Sequence, residues 1–282
     1  TLILIIISLY LFFIALKSNN NFIWFFIPIL LGFAFLSKQT PTAYVALLIG
    51  SFSLIFFITK KRYKSLFVSL SGLFFFLTLF FIYIFITKVG FNDFLVQYIL
   101  FPKSLGETRL DWVFPLEFKR IVLRFKIHYL AISVLIYLFI KSLLNKKIIL
   151  SLEDNFIILI LIFVFIFFIF HQLMTINEIF IYCLIPIFCA FSNIYSNKFL
   201  KNKKISYFLI SLSFVSSIYY YINYVQNRTF MDLGKSDLTK AVDGNLIHEK
   251  LSGVKWVTMF YPLDPREEVE NIKFAMKFNN RF

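Results

Sequence analysis

Apolar residues in this chain come in long runs separated by short polar interruptions. Leu2–Leu16, Phe22–Leu36, Thr42–Thr59 and Leu66–Thr87 precede a long mixed segment, Lys88–Lys126. Ile127–Leu144, Phe156–Met174, Ile179–Tyr195 and Ile205–Val225 follow it. The runs lack helix-breaking clusters and are too long for barrel strands, so each predicts a helix. Several approach or exceed the roughly 20 residues that cross a hydrocarbon core. The expected fold class is an all-α polytopic membrane protein with about eight transmembrane helices and a small α/β extracytoplasmic tail. The division expected is a helical domain over 1–225 and a soluble segment over 226–282.

The polar interruptions alternate in character. Lys17 and the basic clusters at 60–64, 141–147 and 198–204 fall on one side, which the positive-inside rule assigns to the cytoplasm. The 37–41 break, the 88–126 loop, the 175–178 turn and the tail then fall outside. Within the loop, Phe118, Ile121, Val122 and Phe125 recur at helical spacing with Arg120 and Arg124 opposite, predicting an amphipathic helix in the membrane interface. Phe101-Pro102, a turn at Gly106 and Phe114-Pro115 divide the rest of the loop into short pieces. In the tail, Val254–Tyr261 reads as a strand. Asp264-Pro265-Arg266-Glu267 then reads as a helix start, with Asp at the N-cap and Pro at the first helical position.

Composition sharpens the class. The chain has 282 residues, of which 60% are hydrophobic and 41 are Phe, more apolar surface than one aqueous core of this size could hide. Its net charge of +14 raises the question of nucleic acid, but the cations gather in short inter-helical loops, so no nucleic-acid partner is expected. Cys183 and Cys189 lie in one apolar run and read as small buried hydrophobes; no metal-ligand spacing and no cofactor motif is present. Thr1 stands inside an apolar run with no preceding Met, so the chain reads as a piece whose amino-terminal part is missing, with a tail continuing past Phe282. Abundant Phe, Ile, Lys and Asn point to an AT-rich genome and a bacterial cytoplasmic membrane.

Candidate chemistry centres on Ser37-Lys38-Gln39-Thr40-Pro41. The preceding run of fifteen residues gives about 22 Å of helix against a core of about 30 Å, which leaves the break recessed. The residues alone allow a helix–helix turn with Lys38 reaching the headgroups, or a phosphate site built from Lys38, Gln39 and Thr40. Arg109 reads either as a bidentate phosphate ligand or as a headgroup contact. His171 reads as an interhelical hydrogen bond or a cavity-lining group, Asn177 as a turn residue or part of the same site, and His128 as a headgroup contact. Pro186 reads as a kink in the seventh helix.

Gly32-Phe33-Ala34-Phe35-Leu36-Ser37-Lys38-Gln39-Thr40 resembles the G-x-A-x-L-(S/T)-K-(Q/G)-(T/P) segment of GT-C superfamily glycosyltransferases, in the branch of dolichyl-phosphate-mannose protein mannosyltransferases and their bacterial relatives. His171 to Glu178, followed by Ile185-Pro186-Ile187, resembles a later outer turn of such enzymes. The resemblance implies sugar transfer at the outer face, from a polyprenyl-phosphate donor to a glycan, lipid or protein acceptor. It implies lipid-phosphate binding by Lys38, Gln39, Thr40 and Arg109, with His171 and Asn177 lining the pocket. The family's catalytic acids lie in its first outer loop, whereas no Asp or Glu precedes Asp93 here, so the general base is expected upstream and no residue of this chain is assigned to catalysis. Two other classes fit the pattern: an O-antigen polymerase- or ligase-like enzyme working through the 88–126 loop, and a multi-span transporter.

Overall fold

The computed structural model describes the chain apart from residues 19, 114–116, 145–148, 176–180, 227–237, 259–263 and 280–282; for a few others, Asp111 and Trp112 among them, it describes the backbone alone. Thr1–Ser216 and Ser217–Phe282 form two compact units.

The first unit is a helical bundle. Its principal helices are α1 (Leu2–Lys17), α2 (Phe22–Ser37), α3 (Gln39–Thr59) and α4 (Tyr63–Thr87), then α7 (Lys126–Leu144), α8 (Leu152–Thr175), α9 (Leu184–Phe199) and α10 (Lys203–Tyr220). A strap lies between α4 and α7: α5 (Phe91–Phe94), one π-helical stretch at Leu95–Leu100, and α6 (Phe101–Val113). Five helices are long and apolar enough to cross a membrane: α3, α4, α7, α8 and Lys203–Gln226. α1, α2 and α9 have 16 residues each, about 24 Å of helix, so length alone carries five of the eight expected spans.

α8 is the axis of the bundle, with 67% of its most apolar stretch buried against 11% for α4. It packs on α3, α6 and α7, while α2 packs on α1, α3 and α4, and α7 on α9. Aromatic rings fill the gaps: Trp24 meets Phe12, Phe56 and Phe57 at centroid distances of 5.7, 5.9 and 4.6 Å. α2 and α4 approach so closely that a methyl group on Gly72 would fall 2.1 Å from the Phe25 carbonyl oxygen, and only glycine fits there.

The basic end is held by carboxylates. Asp154, 2% exposed, accepts from Lys198 Nζ at 2.5 Å and from the Tyr195 hydroxyl at 2.9 Å, and pairs with Lys17 Nζ at 3.1 Å. Glu153 pairs with Lys60 at 2.7 Å, and Arg62 Nη1 donates to the Ser18 carbonyl at 2.8 Å. These contacts gather the ends of α1, α3 and α9 and the starts of α4 and α8 at one end of the bundle. Two lysines there, Lys61 and Lys201, take left-handed φ values of 55° and 54° just past helix ends, where glycine is usual; their charge offsets the negative end of the helix dipole.

Three expectations are corrected. Gly106 makes no turn: it lies inside α6, which runs unbroken from Phe101 to Val113 and packs on α8, offsetting the roughly 1 kcal/mol cost of a helical glycine. The 118–125 stretch is π-helical over Lys119–Leu123, and its apolar residues diverge: Phe125 is fully buried against the core while Phe118 is 67% exposed. Pro186 lies in the first turn of α9, where its missing N–H costs nothing, so it kinks no helix.

In the second unit, β1 (Val242–Asp243) and β2 (Lys255–Trp256) pair antiparallel. The expected strand is thus two residues long in its described part, because β1 offers a partner no longer than that; 259–261 lie outside the described residues. α11 (Pro265–Asn279) starts as expected, with Asp264 Oδ1 accepting from Arg266 N at 2.9 Å. It buries Val269 and ties to β2 through Trp256 Nε1 donating to Glu268 Oε2 at 2.9 Å.

Asp154→Ala should therefore lower stability by roughly 2–3 kcal/mol, less than for a wholly buried pair because both lysines reach the surface. Thermal unfolding in detergent checks this; an unchanged midpoint would refute the role of Asp154 as the anchor of this end.

Candidate functional site

The sequence breaks α2 from α3 at Ser37–Pro41, and the backbone follows: α2 ends at Ser37, Lys38 is extended (φ −163°, ψ 122°) and Thr40 is non-helical (φ −106°, ψ 134°). The Thr40–Pro41 peptide bond is cis. Thr42 Oγ1 donates to the Lys38 carbonyl at 2.8 Å and to the Ala34 carbonyl at 3.3 Å, which ties the start of α3 to the end of α2. The break thus presents Lys38, Gln39 and Thr40 as a rigid polar step between two apolar helices.

A cavity of about 410 Å³ opens above that step. Lys38, Gln39 and Thr40 form one wall, with Phe35 and Tyr44 from the adjoining helices. α8 contributes His171, Met174 and Thr175, and the strap closes the remaining side with Tyr98, Lys103 and Arg109. Five of the six residues singled out from sequence meet here: Lys38, Gln39, Thr40, Arg109 and His171. Asn177 lies outside the described residues, as does Glu178.

The charge of the cavity has one sign. Lys38, Lys103 and Arg109 line it, and no Asp or Glu is among the described lining residues. Lys103 leans toward Glu107 at 4.0 Å, a solvent-exposed pair worth little. Lys38 makes no ion pair with any described carboxylate. A wall that carries cations and, among its described residues, no carboxylate suits an anion, and a phosphate above all, since it takes several charge-assisted hydrogen bonds at once.

Two of the polar residues have structural work as well. The Gln39 amide donates to the Tyr98 carbonyl, and the Tyr98 hydroxyl donates to the Phe35 carbonyl at 2.5 Å. Together they fasten the strap across the break, so Gln39 is a clasp before it is a ligand. Burial pushes the Tyr98 phenol above its usual range and keeps it a donor at neutral pH. His171 is 4% exposed; its Nδ1 meets the Gln172 amide nitrogen at 2.9 Å, while its Nε2 is buried without a hydrogen-bond partner among the described residues. With that amide donating, the ring proton of neutral His171 sits on Nε2, ready to donate.

Tyr98, Lys103 and Gln172 were not found from sequence. Tyr98 carries no motif, and only the fold brings the strap to the break; Gln172 has a signal in its place beside His171. His128, read as a headgroup contact, is instead 1% exposed, with Nε2 at 3.0 Å from the Ile181 carbonyl: it joins α7 to the entrance of α9. Cys189 is buried as expected but Cys183 is exposed. His248 caps a short turn by accepting from Lys250 N at 3.1 Å. Among the described residues no three His, Cys, Asp or Glu side chains are grouped to hold a metal ion.

Tyr98→Phe removes one clasp hydrogen bond, worth about 1 kcal/mol. Amide exchange over 91–113 should quicken while α8 stays protected; equal protection of the strap in both proteins would refute the clasp.

No family model, no curated protein and no solved structure matches this chain.

Proposed function

We propose that this chain is a membrane glycosyltransferase that moves a sugar from a polyprenyl-phosphate donor to an acceptor, holding the lipid phosphate in the cavity above the α2–α3 break. One observation carries the reading: Lys38, Thr40, Arg109 and His171, from three separate parts of the chain, line a single cavity whose described residues include no carboxylate. The resemblance around Gly32–Thr40 supplies the sugar and the reaction type.

Breaking the sugar–oxygen bond turns a phosphodiester carrying one negative charge into a monoester carrying nearly two. Fixed cations beside the departing oxygen bind that product-like state more tightly than the substrate, which lowers the barrier. Lys38 is a compact point charge, Arg109 a planar fork for two phosphate oxygens, and His171 and Thr40 are neutral donors. None of these groups suits the task of deprotonating the acceptor, and that base is left unassigned.

In this reading all eight principal helices span the bilayer, with α1, α2 and α9 met by local thinning or tilt of their neighbours. The basic end faces the cytoplasm and the cavity the opposite side of a bacterial cytoplasmic membrane.

Lys38→Ala in the full-length protein should lower transfer from a polyprenyl-phosphate sugar by about 10²–10³-fold, with Lys38→Arg restoring part of it. Unchanged turnover at normal expression would overturn the reading. Faster transfer from a polyprenyl-diphosphate glycan would move the assignment to a polymerase-like enzyme.

A further inference from the structure

The first half of the strap, α5 and the π-helical stretch, shows three kinds of side. Phe94 and Tyr98 turn inward, and Asp93 and Gln97 are exposed polar residues. Phe91, Leu95, Val96 and Leu100 are large, apolar and 36–54% exposed, more than a segment lying in water should carry. We propose that this half of the strap is an in-plane membrane element, seated at the outer edge of the hydrocarbon core with Phe91, Leu95 and Leu100 among lipid acyl chains. This rests on the membrane-spanning part of the reading given above and not on its sugar chemistry. It adds a lipid-contacting surface outside the five helices long and apolar enough to cross a membrane.

Depth decides where the strap lies. α4 has 25 residues, about 38 Å of helix, and so overshoots a core of about 30 Å by roughly 4 Å at each end. Phe80 stands about 10 Å before the end of α4 at Thr87, below that core boundary. The strap folds back to this level: Phe94 meets Phe80 at a centroid distance of 5.0 Å, and Phe91 meets Phe81 at 6.2 Å. Its other fastening has the same depth. α2 and α4 start level, with Ser65 Oγ donating to Asn21 Oδ1 at 2.6 Å. Phe35 lies about 21 Å of helix beyond Asn21 and Phe80 about 22 Å beyond Ser65, and the Tyr98 hydroxyl donates to the Phe35 carbonyl. Pinned at both points, the strap turns Phe94 and Tyr98 to the bundle and must turn another side to lipid; the side it offers is apolar. Its backbone is helical from Phe91 to Val113, so it satisfies its own hydrogen bonds there. Lipid is the occupant because this surface continues that of α4, whose Phe74, Phe81 and Phe85 are exposed and whose apolar stretch is only 11% buried.

The test uses the full chain in phosphatidylcholine nanodiscs, with Cys183 and Cys189 replaced by Ala. One nitroxide label at a time is placed on Leu95→Cys, Leu100→Cys, Gln97→Cys or Phe74→Cys, the last at the middle of α4. Power-saturation electron paramagnetic resonance reads collisions with oxygen, which concentrates in lipid, and with a water-soluble nickel chelate. The oxygen-to-nickel ratio at 95 and 100 should exceed that at 97 by at least about threefold and approach that at 74. If the Leu95 variant does not fold, Phe91→Cys, on the same side, takes its place. Equal nickel access at 95, 97 and 100 puts the strap in water and overturns the proposal. Exclusion of both oxygen and nickel from 95 and 100 means that protein, such as a second copy of this chain, covers them, and overturns it as well. Nickel access at 74 would bring down the spanning reading and this proposal together, an outcome distinct from failure at the strap alone.

Discussion

A single buried carboxylate gives the bundle its register. Asp154 is 2% exposed, and such a charge persists only when paired. Its partners come from α1 and α9, so pairing it fixes three helices relative to one another at one end. Helices coated in Phe, Ile and Leu on every side carry little information about which faces should meet, and apolar surroundings provide no force that selects one rotation. The few polar contacts therefore choose among packings that the apolar side chains would tolerate about equally. α8 then transmits the choice: it is 24 residues long, about 36 Å, with Asp154 near its start and His171, Met174 and Thr175 at its end.

At the opposite end the same economy applies with different chemistry. The α2–α3 break is tied by side chains: Thr42 and the Tyr98 hydroxyl donate to its carbonyls, while the Gln39 amide donates outward to the Tyr98 carbonyl of the strap. The two bonds between Tyr98 and the break fasten the strap, and the strap delivers Arg109. Assembling the cavity and capping the Phe35 carbonyl at the end of α2 are one event.

Much of this was legible in the sequence, for physical reasons particular to each element. Long apolar runs must satisfy their own backbone in lipid, so helices could be placed to within a few residues, as at Phe22–Leu36 against Phe22–Ser37. Lys38 was conspicuous because a charge between two such runs is costly. What could not be read is where distant pieces meet. Nothing in the residues around Tyr98 announces that its hydroxyl reaches the Phe35 carbonyl, 63 positions away. The Asp154 anchor was missed because a carboxylate near a helix start looks like ordinary dipole compensation until its neighbours are known. Gly106 misled because glycine marks turns and tolerated helix interiors alike, and packing on α8 decided between them.

The contact between Gly72 and the Phe25 backbone has a mechanical consequence. With a side chain at that point two helices could roll over each other; with backbone against backbone there is no slack to take up. α2 and α4 move as one plank, and α3, tied to the end of α2 through Thr42, is hinged to that plank near the break. Any widening between them must then be a bowing of the middle of α3, which is held at its Lys38 end through Thr42 and at its Thr59 end by the three-residue link to α4 and the Lys60–Glu153 pair. Breathing of the apolar side thus leaves the spacing of the charged groups nearly untouched.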